Sequence, residues 1–176
     1  DVSFFPEGGE LPGGTQSRIA FKALYTDGLG EDIRGVGLNS LGDTVVKEFR
    51  SLHLGMGIIG FFYDPSLSYY MVCWNRQGLK KEYTLPSVTP NACTLSAYWR
   101  KDNLYISINK DSRNTTNKPL YLTILCRGKI LYSKRWEKYW EDGNSLRFSQ
   151  RSFPTGVLQL LLTDENNLPL SERLVF

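Results

Sequence analysis

The sequence predicts an all-β protein made of two tandem immunoglobulin/fibronectin-like antiparallel β-sandwiches of about seven strands each. Three observations predict it. Short segments alternate apolar and polar residues along nearly the whole chain. Gly, Asn, Asp and Pro separate those segments at the spacing usual for sandwich strands. The pattern then breaks at Pro86-Ser-Val-Thr-Pro90, where two prolines around small residues interrupt any strand. At 176 residues the chain is long enough for two cores, since each serves on the order of 100 residues. The domains are accordingly placed at 1–88 and 91–176.

The first half opens with Val2 to Phe5, followed by the glycine turn of Pro6-Glu-Gly-Gly-Glu10. Arg18 to Tyr25 is the clearest strand: Ile19, Phe21 and Ala23 make one apolar face, and Arg18, Ala20 and Lys22 a mostly wet one. Further strands are expected at Arg34 to Asn39, Thr44 to Arg50, Ile58 to Tyr63, Tyr69 to Asn75 and Leu79 to Leu85. The second half repeats the plan at Cys93 to Arg100, Asn103 to Asn109, Pro119 to Arg127, Lys129 to Trp136, Ser145 to Gln150, Gly156 to Thr163 and Pro169 to Phe176. Asp102-Asn103, Arg127-Gly-Lys129, Asp142-Gly-Asn144 and Asp164-Glu-Asn-Asn167 supply the turn chemistry between them. Leu24 to Asp32 and Leu162 to Glu172 both read as hairpins. Helix is scarce. Trp136, Tyr139 and Trp140 fit a helical period, but Lys134, Trp136, Lys138 and Trp140 also alternate, so Ser133 to Glu141 reads as a strand leading into an irregular aromatic loop.

Composition narrows the function classes. Lys and Arg exceed Asp and Glu by only 21 − 18 = 3, and the basic residues are scattered, which speaks against a nucleic-acid partner. No apolar run approaches the ~20 residues of a membrane span. The chain starts at Asp1 and ends on a strand, as though cut from something longer. Cys73, Cys93 and Cys126 leave an odd thiol under any internal pairing; each lies in an apolar run and reads as a small buried hydrophobe, which leaves the compartment open.

Catalytic signals dissolve on inspection. Gly55-Met-Gly57-Ile-Ile-Gly60 spells a dinucleotide fingerprint, yet it runs into the strand Phe61-Phe-Tyr63 rather than opening a helix. His53 is the sole histidine, with no nucleophile elbow and no clustered metal ligands, and reads as a turn residue bonded to a nearby carbonyl. No catalytic, metal or cofactor-binding residue is therefore assigned. Adjacent acids such as Glu31-Asp32 and Asp164-Glu165 sit in turns as solvated side chains. Asn114-Thr-Thr116 has the spelling of a glycosylation sequon. Tyr98, Trp99, Trp136, Tyr139 and Trp140 are the candidate contact set. Exposed on a sandwich they would stack on a sugar or a partner protein; packed in a core or a domain interface they would serve structure alone.

Several phrases taken together carry a resemblance. Phe4-Phe5-Pro-Glu-Gly-Gly-Glu-Leu11, Ser17-Arg-Ile-Ala-Phe-Lys-Ala23, Leu38-Asn-Ser-Leu-Gly-Asp43, Ser51-Leu-His-Leu-Gly-Met-Gly57 and Tyr83-Thr-Leu-Pro86 resemble the macroglobulin-type repeat of bacterial relatives of alpha-macroglobulins, large envelope proteins of the Bacteroides group. Leu122-Thr-Ile-Leu-Cys-Arg-Gly-Lys129, Phe153-Pro-Thr-Gly-Val-Leu158 and Leu168 to Phe176 are similar to the next repeat. The resemblance implies fibronectin-like sandwiches in an extracytoplasmic protein, periplasmic or on the outer-membrane surface. It also implies partners among neighbouring domains of the same parent chain, other envelope proteins or proteases. No cofactor is implied. None of the three cysteines is followed by Gly-Glu-Gln, so the thioester chemistry of the family does not carry over. The expectation is a non-catalytic scaffold, with a carbohydrate-binding module as the alternative.

Overall fold

The computed structural model describes residues 1–137 and 143–176. In chain order the first half carries β1 (Val2–Pro6), β2 (Thr15–Ala23), β3 (Ile33–Asn39), β4 (Thr44–Arg50), β5 (Met56–Tyr63), β6 (Tyr69–Asn75) and β7 (Lys80–Thr84). The second half carries β8 (Cys93–Arg100), β9 (Asn103–Lys110), β10 (Leu120–Cys126), β11 (Lys129–Trp136), β12 (Ser145–Ser149), β13 (Leu158–Thr163) and β14 (Pro169–Val175). These strands form four sheets, ordered β1-β2-β5, β4-β3-β6-β7, β12-β9-β8 and β11-β10-β13-β14. Every pairing is antiparallel, so the chain is two tandem sandwiches of three plus four strands. No strand end lies more than three residues from its sequence expectation, the largest offset being Thr15 against Arg18. No helix among the described residues is long and apolar enough to cross a membrane.

The alternation that predicts the strands also builds the cores. In β2, Ser17, Ile19, Phe21 and Ala23 are buried while Gln16, Arg18, Ala20 and Lys22 are exposed. Phe21 and Ile19 join Leu11, Phe49, Phe61, Tyr63, Tyr69 and Met71 in the first core. Leu104, Ile106 and Ile108 of β9 face Leu122 and Ile124 of β10 and Leu160 and Leu162 of β13 in the second. The two apolar clusters share no residue.

One turn expectation needs correcting. Asp164 to Leu168 does close a hairpin between β13 and β14, with Asp164 N–H donating to Leu168 O at 3.1 Å. The Leu24 to Asp32 turn does not. It has a hairpin's local bonds, with Tyr25 N–H to Leu29 O at 2.9 Å and a bridge between Leu24 and Gly30. Yet it carries the chain from β2 in one sheet to β3 in the other, because both edges of β2 are taken by β1 and β5.

Candidate functional site

The most elaborated polar structure lies where the sandwiches meet. The segment Glu7–Gly14 between β1 and β2 is tied to its own sandwich by Leu11, which is fully buried in the first core. Thr89 N–H in the proline-flanked link donates to Leu11 O at 2.8 Å. From that base the segment grips the second sandwich at three points.

At the first, the Glu7 carboxylate accepts from Ser96 Oγ at 3.0 Å through one oxygen and meets Arg173 Nη2 at 3.2 Å through the other. At the second, Ser171 Oγ donates to Gly8 O at 3.0 Å while accepting from Leu95 N–H at 3.0 Å. Gly8 sits at φ +85°, and a Cβ there would come within 2.7 Å of Thr94 Cβ and 2.9 Å of Ser171 Oγ. The position thus requires glycine for both backbone and space. At the third, Gly13 bonds in both directions: its N–H donates to Asp111 Oδ2 at 3.0 Å and its carbonyl accepts from Ser112 N–H at 2.8 Å.

Asp111 is the electrostatic centre of this junction. Its side chain is fully buried and accepts from Gly13 N–H, from Arg113 N–H at 2.9 Å and from Arg113 Nε and Nη2 at 2.9 and 2.8 Å. The Arg113 guanidinium, helped by the two backbone N–H groups, holds the carboxyl at about 2 against the opposing effect of burial. An anion with four donors has no lone pair left for proton transfer, so this carboxylate fastens the two halves together.

The three described aromatic candidates, Tyr98, Trp99 and Trp136, do not form one surface. Tyr98 and Trp99 are consecutive in β8 and point to opposite faces. Tyr98 is 44% exposed and stacks on Tyr105 of β9 at 5.6 Å, with 14° between the rings. Trp99 is half-buried, meets Phe153 edge-on at 6.5 Å, and has a buried indole N–H without a partner. Trp136 is 1% exposed; it fills the second core and donates Nε1–H to Gly143 O at 3.0 Å. Tyr139 and Trp140 lie outside the described residues. A shared stacking platform needs rings on one face, and the three described candidates do not share one.

The remaining expectations resolve individually. Gly55 takes φ +76° in the turn that enters β5, and Met56 to Gly60 lie within that strand, as the rejection of the dinucleotide fingerprint requires. His53 is exposed beside that turn. Its side chain makes no hydrogen bond among the described residues, contrary to the expected carbonyl bond, since water can serve an exposed imidazole. All three cysteines are free and buried, and burial pushes the Cys73 thiol up to about 11 and Cys93 to about 12. Asn114 donates Nδ2–H to Asn91 O at 2.8 Å and accepts from Thr116 Oγ1. No cluster of His, Cys, Asp and Glu suited to a metal occurs among the described residues. Sequence reasoning missed the junction itself. The available signal was the paired glycines of Gly8-Gly9 and Gly13-Gly14 in a segment longer than a hairpin turn needs.

No family model and no curated protein matches this chain. Among solved structures it aligns over 99% of its length with a segment of two fibronectin type-III domains from chicken tenascin. The identity is 10%, the TM-score 0.34, and 97% of that segment is covered. It also aligns with invasin, a bacterial integrin-binding protein, at 9% identity and TM-score 0.35, spanning 38% of that chain. A third match is a tetra-tandem repeat from the extending region of a large adhesion protein, at 14% identity and TM-score 0.32, with 49% of that chain covered.

Proposed function

We propose that the chain is a non-catalytic spacer and interaction scaffold whose two sandwiches, at residues 1–88 and 91–176, are held at one preferred orientation. The observation that carries this reading is the junction: Glu7, Gly8 and Gly13 of one sandwich bonded to Ser96, Arg173, Ser171, Asp111 and Ser112 of the other. Independent beads on a linker have no use for a fully buried carboxylate shared between them. The quoted sequence phrases support a finer version, in which the pair is macroglobulin-like and belongs to a larger extracytoplasmic parent chain. There it would set the distance and angle between flanking domains.

Amide ¹⁵N relaxation tests the mechanical claim. A rigid pair gives one rotational diffusion tensor that fits both sandwiches together. Separate tensors, with correlation times near those of isolated domains, would overturn it.

A further inference from the structure

The outward face of the β1-β2-β5 sheet is built unlike a solvated face. Strand β5 is apolar on both sides: Ile59, Phe61 and Tyr63 enter the core, while Met56, Ile58 and Phe62 point outward at 43%, 51% and 57% exposure. Strands apolar on both faces are normally covered on both. Across the sheet the register aligns Phe5, Ala20 and Ile58 in one row, and Phe5 is 55% exposed. Ala20 is the short floor between two large walls. Leu52 and His53 extend the wall around an open concavity of about 360 Å³ that Lys22 also borders. Phe5, Leu52, Met56, Ile58 and Phe62 are all exposed, and grouped apolar side chains of this kind mark interaction surfaces.

The second sandwich is an internal control. Its sheet β12-β9-β8 occupies the same place in the same plan. Its outer strand β12, the counterpart of β5, exposes Ser145, Arg147 and Ser149. The apolar outward face is therefore a property of the first sandwich, and the architecture does not demand it.

Two further features specify the occupant. Arg18 and Lys22 stand on β2 two residues either side of Ala20, both exposed. Neither forms an ion pair among the described residues, and the outward positions of the three strands carry no carboxylate. The face also continues into the junction. A second concavity, about 270 Å³, runs from Phe5, Arg18, Ala20 and Ile58 past Glu7, whose carboxylate is taken up by Ser96 and Arg173, to Ala97 and Tyr98 of the second sandwich. We propose that this corner docks a segment of another polypeptide with apolar side chains flanked by carboxylates. The apolar residues would sit over Ala20 and the carboxylates would meet Arg18 and Lys22. A second copy packed face to face would instead oppose Arg18 and Lys22 with their own like charges.

The test uses the whole chain and a phage-displayed library of random peptides. The expected result is enrichment of Asp and Glu next to Leu, Ile and Phe. A synthetic peptide of the enriched type should shift the amide resonances of β1, β2 and β5. Its affinity should fall at least about tenfold in Ile58→Asp and, separately, in the Arg18→Glu/Lys22→Glu double variant. The charge variant touches only exposed positions and keeps the test valid if Ile58→Asp unfolds. Enriched peptides without acids, shifts confined to another surface, or affinity indifferent to both variants would overturn the proposal. So would a wild-type dimer that Ile58→Asp dissociates in sedimentation, or capture by phosphatidylglycerol vesicles lost in the same variant. The docking face goes beyond the spacer reading: independent tumbling of the sandwiches would defeat the spacer, whereas the peptide titration decides the face.

Discussion

Replacing Asp111 with alanine isolates what the junction contributes. The substitution leaves Gly13 N–H buried without its acceptor, and removes the charged partner of three Arg113 donors. An unsatisfied buried donor costs roughly 1–3 kcal/mol. The Arg113 side chain is 45% exposed and can turn to water once the carboxylate is gone, so leaving its own donors unpaired adds little to that cost. A second route gives a similar figure. The carboxyl is lowered from 3.8 to about 2 in the folded protein, first by the Arg113 guanidinium, which corresponds to at most about 2 kcal/mol of stabilisation when it is ionised, because solvent screens the half-exposed Arg113. A depressed carboxyl stabilises fully above its unfolded pKa and loses that contribution as pH falls toward its folded one, here between about pH 4 and pH 2. Asp111→Ala should therefore be about 2 kcal/mol less stable than wild type in urea at pH 6, and the gap should shrink by pH 2 to what the neutral carboxyl still supplies as an acceptor for Gly13 N–H. In hydrogen exchange the Gly13 and Ser112 amides should lose about 30-fold in protection, the equivalent of ~2 kcal/mol. A urea gap that persists unchanged at pH 2, or wild-type protection at Gly13 in the variant, would refute the assignment of this energy to an ionised clasp.

Other substitutions separate the remaining claims. Gly8 and Gly9 both have positive φ, but only at Gly8 would a methyl meet the second sandwich, since nothing lies within 4 Å at Gly9. Each alanine should cost about 1–2 kcal/mol for the backbone, and only Gly8→Ala should also change the scattering profile of the pair. Trp136→Ala should cost about 3–5 kcal/mol in urea denaturation, whereas Tyr98→Ala, which loses only a surface stack, should cost about 1 kcal/mol. Equal effects would contradict the burial assigned to the two rings. The Cys73 and Cys93 thiols, pushed up to about 11 and about 12 by burial, should ignore an aromatic disulfide reagent at pH 8 until urea unfolds the chain. Labelling at the rate of an open peptide would show that the cores open readily.

The fold was legible because its central strands announce their buried side. In β2, β9 and β10 the residues at every second position are those that pack, and the gaps between runs carry the turn chemistry. The Leu24 to Asp32 turn misled because its local bonds are those of a hairpin; its destination is settled by β5, which takes the free edge of β2. The junction was illegible for a related reason. Its hydrogen bonds span 98 residues between Gly13 and Asp111 and 163 between Gly8 and Ser171, and no local periodicity encodes such pairs. The aromatic set was half legible. Strand alternation alone separates Tyr98 from Trp99, while the depth of Trp136 depends on its pairing with Leu120 across β10 and β11.

Strand β5 shows where periodicity stops informing. Its inward residues suffice to identify it as a strand, and the same inward set would fit a β5 with serines and arginines outside, as β12 has. Folding therefore does not explain Met56, Ile58 and Phe62, and their exposure is unfavourable for a solitary soluble sandwich, by about 25 cal/mol per Å² of apolar surface left in water. The cations beside Ala20, without an ion pair among the described residues, follow the same logic, because a wet sheet face gains nothing from two like charges around an apolar row. A surface that neither the fold nor the solvent calls for is best explained by something that covers it. If the junction is fixed as proposed, the corner with Tyr98 and Arg173 gives it a second use: it would hold one wall of the proposed site in place against the other.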